Sequence, residues 1–75
     1  MWTTGPYIDI TPTPDEVEQF AALLEGNHGG LAAEVASFIA THHSLGGDAV
    51  RAWAWTSVVD CIHERERERL RTPRF

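Results

Sequence analysis

The side chains in this 75-residue chain that could do chemistry are four histidines, one cysteine and eleven carboxylates. Asp60, His63 and Glu64 stand at i, i+3 and i+4, a spacing that gathers side chains on one side of a helix and suits a metal ion. An antiparallel pairing of that helix with the preceding one would bring His28 close to His63. No HExxH motif, CxxC pair or second cysteine accompanies these residues. The favoured interpretation is therefore a set of solvent-exposed side chains, and we predict no bound metal.

No arrangement typical of catalysis is present elsewhere in the sequence. His43 and Ser44 are neighbours, but they match no nucleophile-base pattern. Cys61 falls within an apolar run, so we expect a small core residue rather than a reactive thiol. A chain of 75 residues is also short for a substrate cleft. The sequence therefore predicts a non-enzymatic protein without a cofactor.

Charge is divided unevenly along the chain, which has six arginines, no lysine and a formal net charge of −5. Residues 1–63 carry eight acids and one base, whereas residues 64–75 carry three acids and five bases. Because nucleic-acid-binding domains have an excess of cations, nucleic acid is not the expected partner. Arginine without lysine, beside much Ala and Gly, is typical of a GC-rich coding sequence and suggests an actinobacterial or phage source.

The compartment predicted from the sequence is the cytoplasm. A single cysteine allows no internal disulfide, so the staples of a small secreted domain are absent. No apolar run approaches the roughly 18 residues that a membrane-spanning helix needs. The first residues have neither the basic region nor the apolar run of a signal peptide. No membrane association is expected.

The elements that position these residues are predicted to be three helices behind an extended arm. Gly and Pro at four of the first 14 positions exclude a helix over residues 1–12. Thr13, Pro14 and Glu16 form a capping-box pattern that begins a first helix at about 14–25. Gly26-Asn27 is expected to end that helix.

The fold class predicted is all-α, with a single helical domain over residues 13–71 and a tail over 72–75. A second helix is expected at about 31–44, and Asp48 is a suitable N-cap for a third, long helix at about 48–71. Near the end of the third helix, we expect i,i+3 ion pairs. These pairs are Glu64–Arg67, Glu66–Arg69 and Glu68–Arg71. The apolar stripe of the second helix comprises Leu31, Val35, Phe38, Ile39 and His42, with His42 partly buried.

The third helix carries apolar side chains around about 240° of its circumference, which is more than two short neighbours would cover. The surplus is chiefly Trp55, Val59 and part of Ile62, and either the N-terminal arm covers it or another protein does. We favour the second, with Trp53, Trp55, Val59 and Ile62 as interface residues. The predicted function is a small protein–protein interaction module of a regulatory, adaptor or inhibitory kind. It would act as a homodimer or bound to a larger partner.

Two other functions stay open as alternatives. The Gly-containing turn between two helices also suits a helix-turn-helix DNA-binding regulator. The reading helix would then begin with Asp48, Ala49, Arg51 and Ala52, which are poorly equipped to contact base edges. The second alternative is a small metal-binding module using the histidine set described above.

The junction between the second and third helices, Leu45-Gly46-Gly47-Asp48-Ala49-Val50, is similar to the Leu-Gly-Gly-Asp-Ser-Leu motif of acyl and peptidyl carrier proteins. The similarity covers about six residues. Ala49 stands where that family has the serine that accepts phosphopantetheine, and too little chain follows for the remaining helices. Without the hydroxyl the arm cannot be attached, so we transfer no carrier function or site residue to this chain.

Overall fold

The computed structural model describes residues 10–71, so most of the predicted arm and all of the predicted tail lie outside the described residues. The elements in chain order are α1 (Val17–His28), a 3-10 helix (Gly29–Leu31), α2 (Ala32–Leu45) and α3 (Ala49–Arg71). No strand occurs among the residues described. The prediction of an all-helical protein is confirmed. In the same residues, no helix is long and apolar enough to cross a membrane.

Helical elements follow one another without an intervening loop from Val17 to Leu45, so the described chain forms two helical runs, the first in three pieces, rather than three separate helices. The expected end of α1 at residue 25 is wrong. Gly26 is accommodated within α1, and Gly29 makes the break because it adopts φ +56° while its N–H bonds to the Glu25 carbonyl. A residue with positive φ is what ends a helix of this kind, and glycine adopts that conformation without a steric penalty.

The start of α1 also differs from the prediction. Residues 14–16 form a turn, and the α-helix begins at Val17. The Glu16 carboxylate accepts a hydrogen bond from the Thr13 N–H at 3.0 Å, which is the glutamate half of the predicted capping box. The Pro14 turn is therefore closed by the residues that the pattern had assigned to the cap.

The connection from α2 to α3 is only three residues long and turns the chain back along α2. Gly47 adopts φ +85°, and the Asp48 N–H bonds to the His43 carbonyl at 2.8 Å. Asp48 Oδ1 then accepts a hydrogen bond from the Arg51 N–H at 3.1 Å, which confirms Asp48 as the N-cap of α3. This short junction fixes α2 and α3 as antiparallel neighbours, and the two helices make the largest contact in the described chain.

The core lies where α1, α2 and the first half of α3 meet, and it includes only part of the stripe predicted on α2: Ile39 is fully buried and Val35 packs against the core, as expected. His42 is exposed, so the expectation of a partly buried His42 is wrong. Small residues face inward and let α2 approach α3 closely, while Trp55 and Ile39 supply the volume. Leu31 and Phe38, expected in the core, are therefore more than half exposed. The buried face of α2 comprises Ala32, Ala36, Ile39, Ala40 and His43.

Candidate protein-interaction site

Two of the four predicted interface residues, Trp55 and Ile62, lie in the chain's own core with 0% and 2% of their surface exposed. The Trp55 indole N–H donates to the carbonyl oxygen of Ile10 at 2.9 Å. The Phe20 ring packs edge-to-face against the indole, with ring centroids 5.5 Å apart. In this conformation the end of the N-terminal arm and α1 cover Trp55. A partner therefore has no access to Trp55 or Ile62.

The other two predicted residues differ from this pair: Trp53 lies on the opposite side of α3, and Val59 lies at the edge of the core and packs against it. Trp53 is 77% exposed and Val59 is half-buried. Both line an open groove of about 430 Å³ between α2 and α3. The structure thus divides the predicted interface into a pair of core residues and a pair of groove residues.

The groove combines one large aromatic side chain with small residues and carries no charged group. Alanines and hydroxyl residues let the backbones of both helices come close to anything that binds there. The Thr56 hydroxyl already donates to the Ala52 carbonyl oxygen at 2.8 Å, so its hydrogen needs no external acceptor. A surface of this kind suits an apolar side chain of another polypeptide more than a charged ligand. The lining residues are Ser37, Ala40, Thr41, Ser44, Ala49, Ala52, Trp53, Thr56 and Val59.

Further exposed apolar side chains lie on the same two helices. Leu45 is 84% exposed at the end of α2, and Val50 is 72% exposed at the start of α3. Phe38, on α2, is 57% exposed. The apolar stripe read from the sequence placed Phe38 in the core, so it was missed as a surface residue. The signal that could have identified it is the second stripe of α2, in which alanines recur at helical spacing.

The arginines of α3 are engaged with carboxylates. Arg65 Nε donates to Glu25 Oε1 at 3.0 Å, and Arg69 Nη1 lies 3.5 Å from Glu25 Oε2. The carboxylate of Glu25 is largely buried, and the two guanidinium groups connect the end of α1 to the far end of α3. The predicted Glu66–Arg69 pair does not form, because Arg69 instead lies beside Glu25.

The remaining arginines within residues 10–71 are also paired. Arg51 Nη1 lies 3.1 Å from Asp48 Oδ2. The predicted pairs of Glu64 with Arg67 and of Glu68 with Arg71 are present. The hydrogen bond from Arg67 lowers the pKa of Glu64. In the described part of the chain, every guanidinium therefore has a carboxylate within ion-pair distance.

The other side chains considered for chemistry are not brought together. Among residues 10–71, no group of three or more His, Cys, Asp and Glu side chains is placed to hold a metal ion. Of the earlier candidate set, Glu64 is engaged with Arg67. Cys61 is partly buried against the core, and this burial, together with the charge of Glu18, raises the pKa of its thiol. A raised pKa leaves less of the nucleophilic thiolate at neutral pH.

Comparisons of this chain with models of protein families, with curated proteins and with solved structures give no match.

Proposed function

We propose that this chain is a protein–protein interaction module that binds another polypeptide in the groove between α2 and α3. Its role would be that of a regulator, adaptor or inhibitor, with no catalytic step of its own. The proposal rests on the exposure of Trp53, a large aromatic side chain that lines an uncharged groove and is 77% exposed. Tryptophan is the residue type most enriched among side chains that dominate binding energy.

Folding leaves most of the Trp53 side chain in water, with 77% of its surface exposed, whereas Trp55 is completely buried. Leaving a second indole in water forfeits the free energy that burial of a large aromatic side chain provides. The same side chain would recover that free energy on contact with a partner.

The ion pairs of the arginines also favour a protein partner over nucleic acid. A phosphate would have to displace a carboxylate from Arg51, Arg65, Arg67, Arg69 or Arg71 before it gained a free guanidinium. The net charge of −5 would oppose its approach. Binding through the uncharged groove involves neither cost.

The test compares the wild type with W53A and with the control variant L70A as immobilised baits in host lysate. Leu70 is 86% exposed and does not line the groove, so the two variants remove similarly exposed apolar side chains. We expect W53A to weaken a specific contact by roughly thirtyfold or more, the effect of losing a dominant interface residue. Circular dichroism would establish that both variants are folded.

Light scattering on the same proteins shows whether the bound polypeptide is a second copy of the chain. A protein retained by the wild type and L70A but lost from W53A supports the proposal, as does a dimer that only W53A dissociates. Equal capture and equal mass for all three proteins would contradict it.

A further inference from the structure

Some acidic residues within residues 10–71 have none of the described arginines beside them, and three of these lie on α2 and α3. Among the ten acids within residues 10–71, five lie within 4.0 Å of a guanidinium nitrogen. Of the other five, Asp15 and Glu16 stand at the start of α1, where a helix N-terminus favours negative charge. The remaining three, Glu34, Asp60 and Glu66, are all on α2 and α3, and all three are exposed.

Glu34 and Asp60 are in register with the groove. Asp60 follows Trp53 by seven residues on α3, and Glu34 precedes Thr41 by seven residues on α2. Seven residues are close to two helical turns, so each acid lies on the same side of its helix as the groove residue. The distance between the two along the helix axis is about 10 Å. Because α2 and α3 are antiparallel, both acids fall at the same end of the groove.

Glu66 lies on another side of α3, where it lines a smaller cavity of about 230 Å³ together with Arg69 and the already paired Glu25 of α1. The groove between α2 and α3 therefore changes from an uncharged aromatic section beside Trp53 to an acidic section beside Glu34 and Asp60. A binding segment must complement both sections.

We propose that the occupant of the groove is a basic amphipathic helix of another protein. Its apolar side chains would contact Trp53 and the alanines beside it, and a lysine or arginine about two turns further along the same face would meet Glu34 and Asp60. This inference rests on the proposed function and specifies the chemistry of its partner. Complementary charge at the edge of an apolar contact sets orientation and selects the partner.

A second copy of this chain is a poorer occupant on the same grounds. It would bring the same surplus of acid, with a net charge of −5, to the acidic end of the groove. Its described arginines would first have to leave their own carboxylates. Like charges at an interface cost binding free energy.

The experiment uses a fluorescein-labelled, helix-forming peptide of about five turns. Leu forms a stripe at one end of the peptide, and Lys stands two turns further along the same stripe. A second peptide has Glu in place of each Lys. Binding to the full chain is measured by fluorescence anisotropy. We expect the Lys peptide to bind and the Glu peptide not to, with weaker binding as salt rises from about 0.1 M to about 1 M, since the Debye length falls from about 10 Å to about 3 Å.

Two double variants test whether the charges of Glu34 and Asp60 contribute to peptide binding. We expect E34Q/D60N to weaken binding of the Lys peptide about three- to tenfold, the range for two exposed charge pairs. The control D15N/E16Q removes the same net charge at the start of α1, and Gln can still serve in the capping box. The control should bind as the wild type does. W53A should abolish binding in the same assay.

Several outcomes would overturn this inference. These are no binding of the Lys peptide to the wild type, equal binding of the Glu peptide, and equal loss in the two double variants. A dimer that W53A dissociates and that the Lys peptide does not displace would assign the groove to a second copy. Loss of lysate capture in W53A, combined with unchanged binding in E34Q/D60N, would retain the interaction function and overturn only the basic partner.

Discussion

The two tryptophans of α3 provide a direct test of the fold, because they are two residues apart in the chain and lie in opposite environments. Trp55 is fully buried and Trp53 is 77% exposed. Replacing each with alanine removes the same atoms from the same helix and replaces them with the same good helix former. Any difference between W55A and W53A therefore reports the environments and not the helix propensities.

The expected cost of W55A is a large part of the folding free energy of a domain of this size. Truncating a buried tryptophan to alanine costs about 3–5 kcal/mol. The total stability of a 75-residue domain is about 4–11 kcal/mol at the usual value per residue. The change also removes the indole N–H that bonds to the Ile10 carbonyl and the ring that Phe20 packs against. We expect W55A to lose about 3–5 kcal/mol, which would unfold a chain at the low end of that stability range, and W53A to lie within about 0.5 kcal/mol of the wild type.

An intermediate variant separates the hydrogen bond from the packing. W55F keeps an aromatic ring but cannot donate to the Ile10 carbonyl, so we expect a loss of roughly 1–3 kcal/mol from the hydrogen bond and the smaller ring. Stability would be measured by urea unfolding followed with far-ultraviolet circular dichroism, because tryptophan fluorescence changes with the substitutions. A W55A variant that loses less than about 1 kcal/mol, or a W53A variant that loses as much as W55A, would refute the placement of the two indoles.

Three further experiments test the packing of α2, the break after α1 and the reactivity of the Cys61 thiol. A36L adds volume where α2 meets the core and should lower the free energy of unfolding by about 1–3 kcal/mol. F38A should change it by at most about 0.5 kcal/mol. If urea unfolding gave the reverse order, the core would face the Phe38 side of α2 that was predicted from the sequence. G26A should stabilise the chain by roughly 0.5–1 kcal/mol, because Gly26 is inside a helix and no atom lies near an added Cβ. G29A should destabilise it by about 1–2 kcal/mol, because Gly29 has a φ of +56°. Iodoacetamide at neutral pH should modify Cys61 severalfold more slowly in the folded chain than in urea, since its raised pKa and partial burial limit the thiolate; equal rates by mass spectrometry would contradict this.

Local signals in the sequence predicted the helical class and the start of α3. The Asp48 cap depends only on neighbouring residues, and it forms as expected. The end of α1 was placed at the wrong glycine. Gly26 and Gly29 both suit a helix end, and the choice depends on where the following chain must go to pack against α3. That direction is a tertiary property, so the sequence pattern alone could not decide between them.

The buried face of α2 was predicted less well, because the space between α2 and α3 limits the size of the side chains that fit there. Two overlapping stripes run along this segment, one with Leu31, Val35, Phe38 and Ile39 and another with Ala32, Ala36 and Ile39. Ile39 belongs to both stripes and is buried, and Val35 packs against the core. Hydrophobicity favours the stripe with larger side chains, but the space between α2 and α3 is already filled by Trp55 and Ile39. Only small residues fit against them. The choice of face therefore depends on a partner helix that the local pattern does not contain.

The location of the candidate site depends on the same kind of long-range contact. From the sequence, Trp53 and Trp55 belong to one wide apolar arc, and Trp55, Val59 and part of Ile62 are the expected surplus. The hydrogen bond between Trp55 and Ile10 joins residues 45 positions apart and holds Ile10 beside the buried indole. Trp53, on the other flank of α3, is 77% exposed. The surplus of apolar surface could be read from composition and periodicity, but its position depends on which residues of α3 the rest of the chain covers.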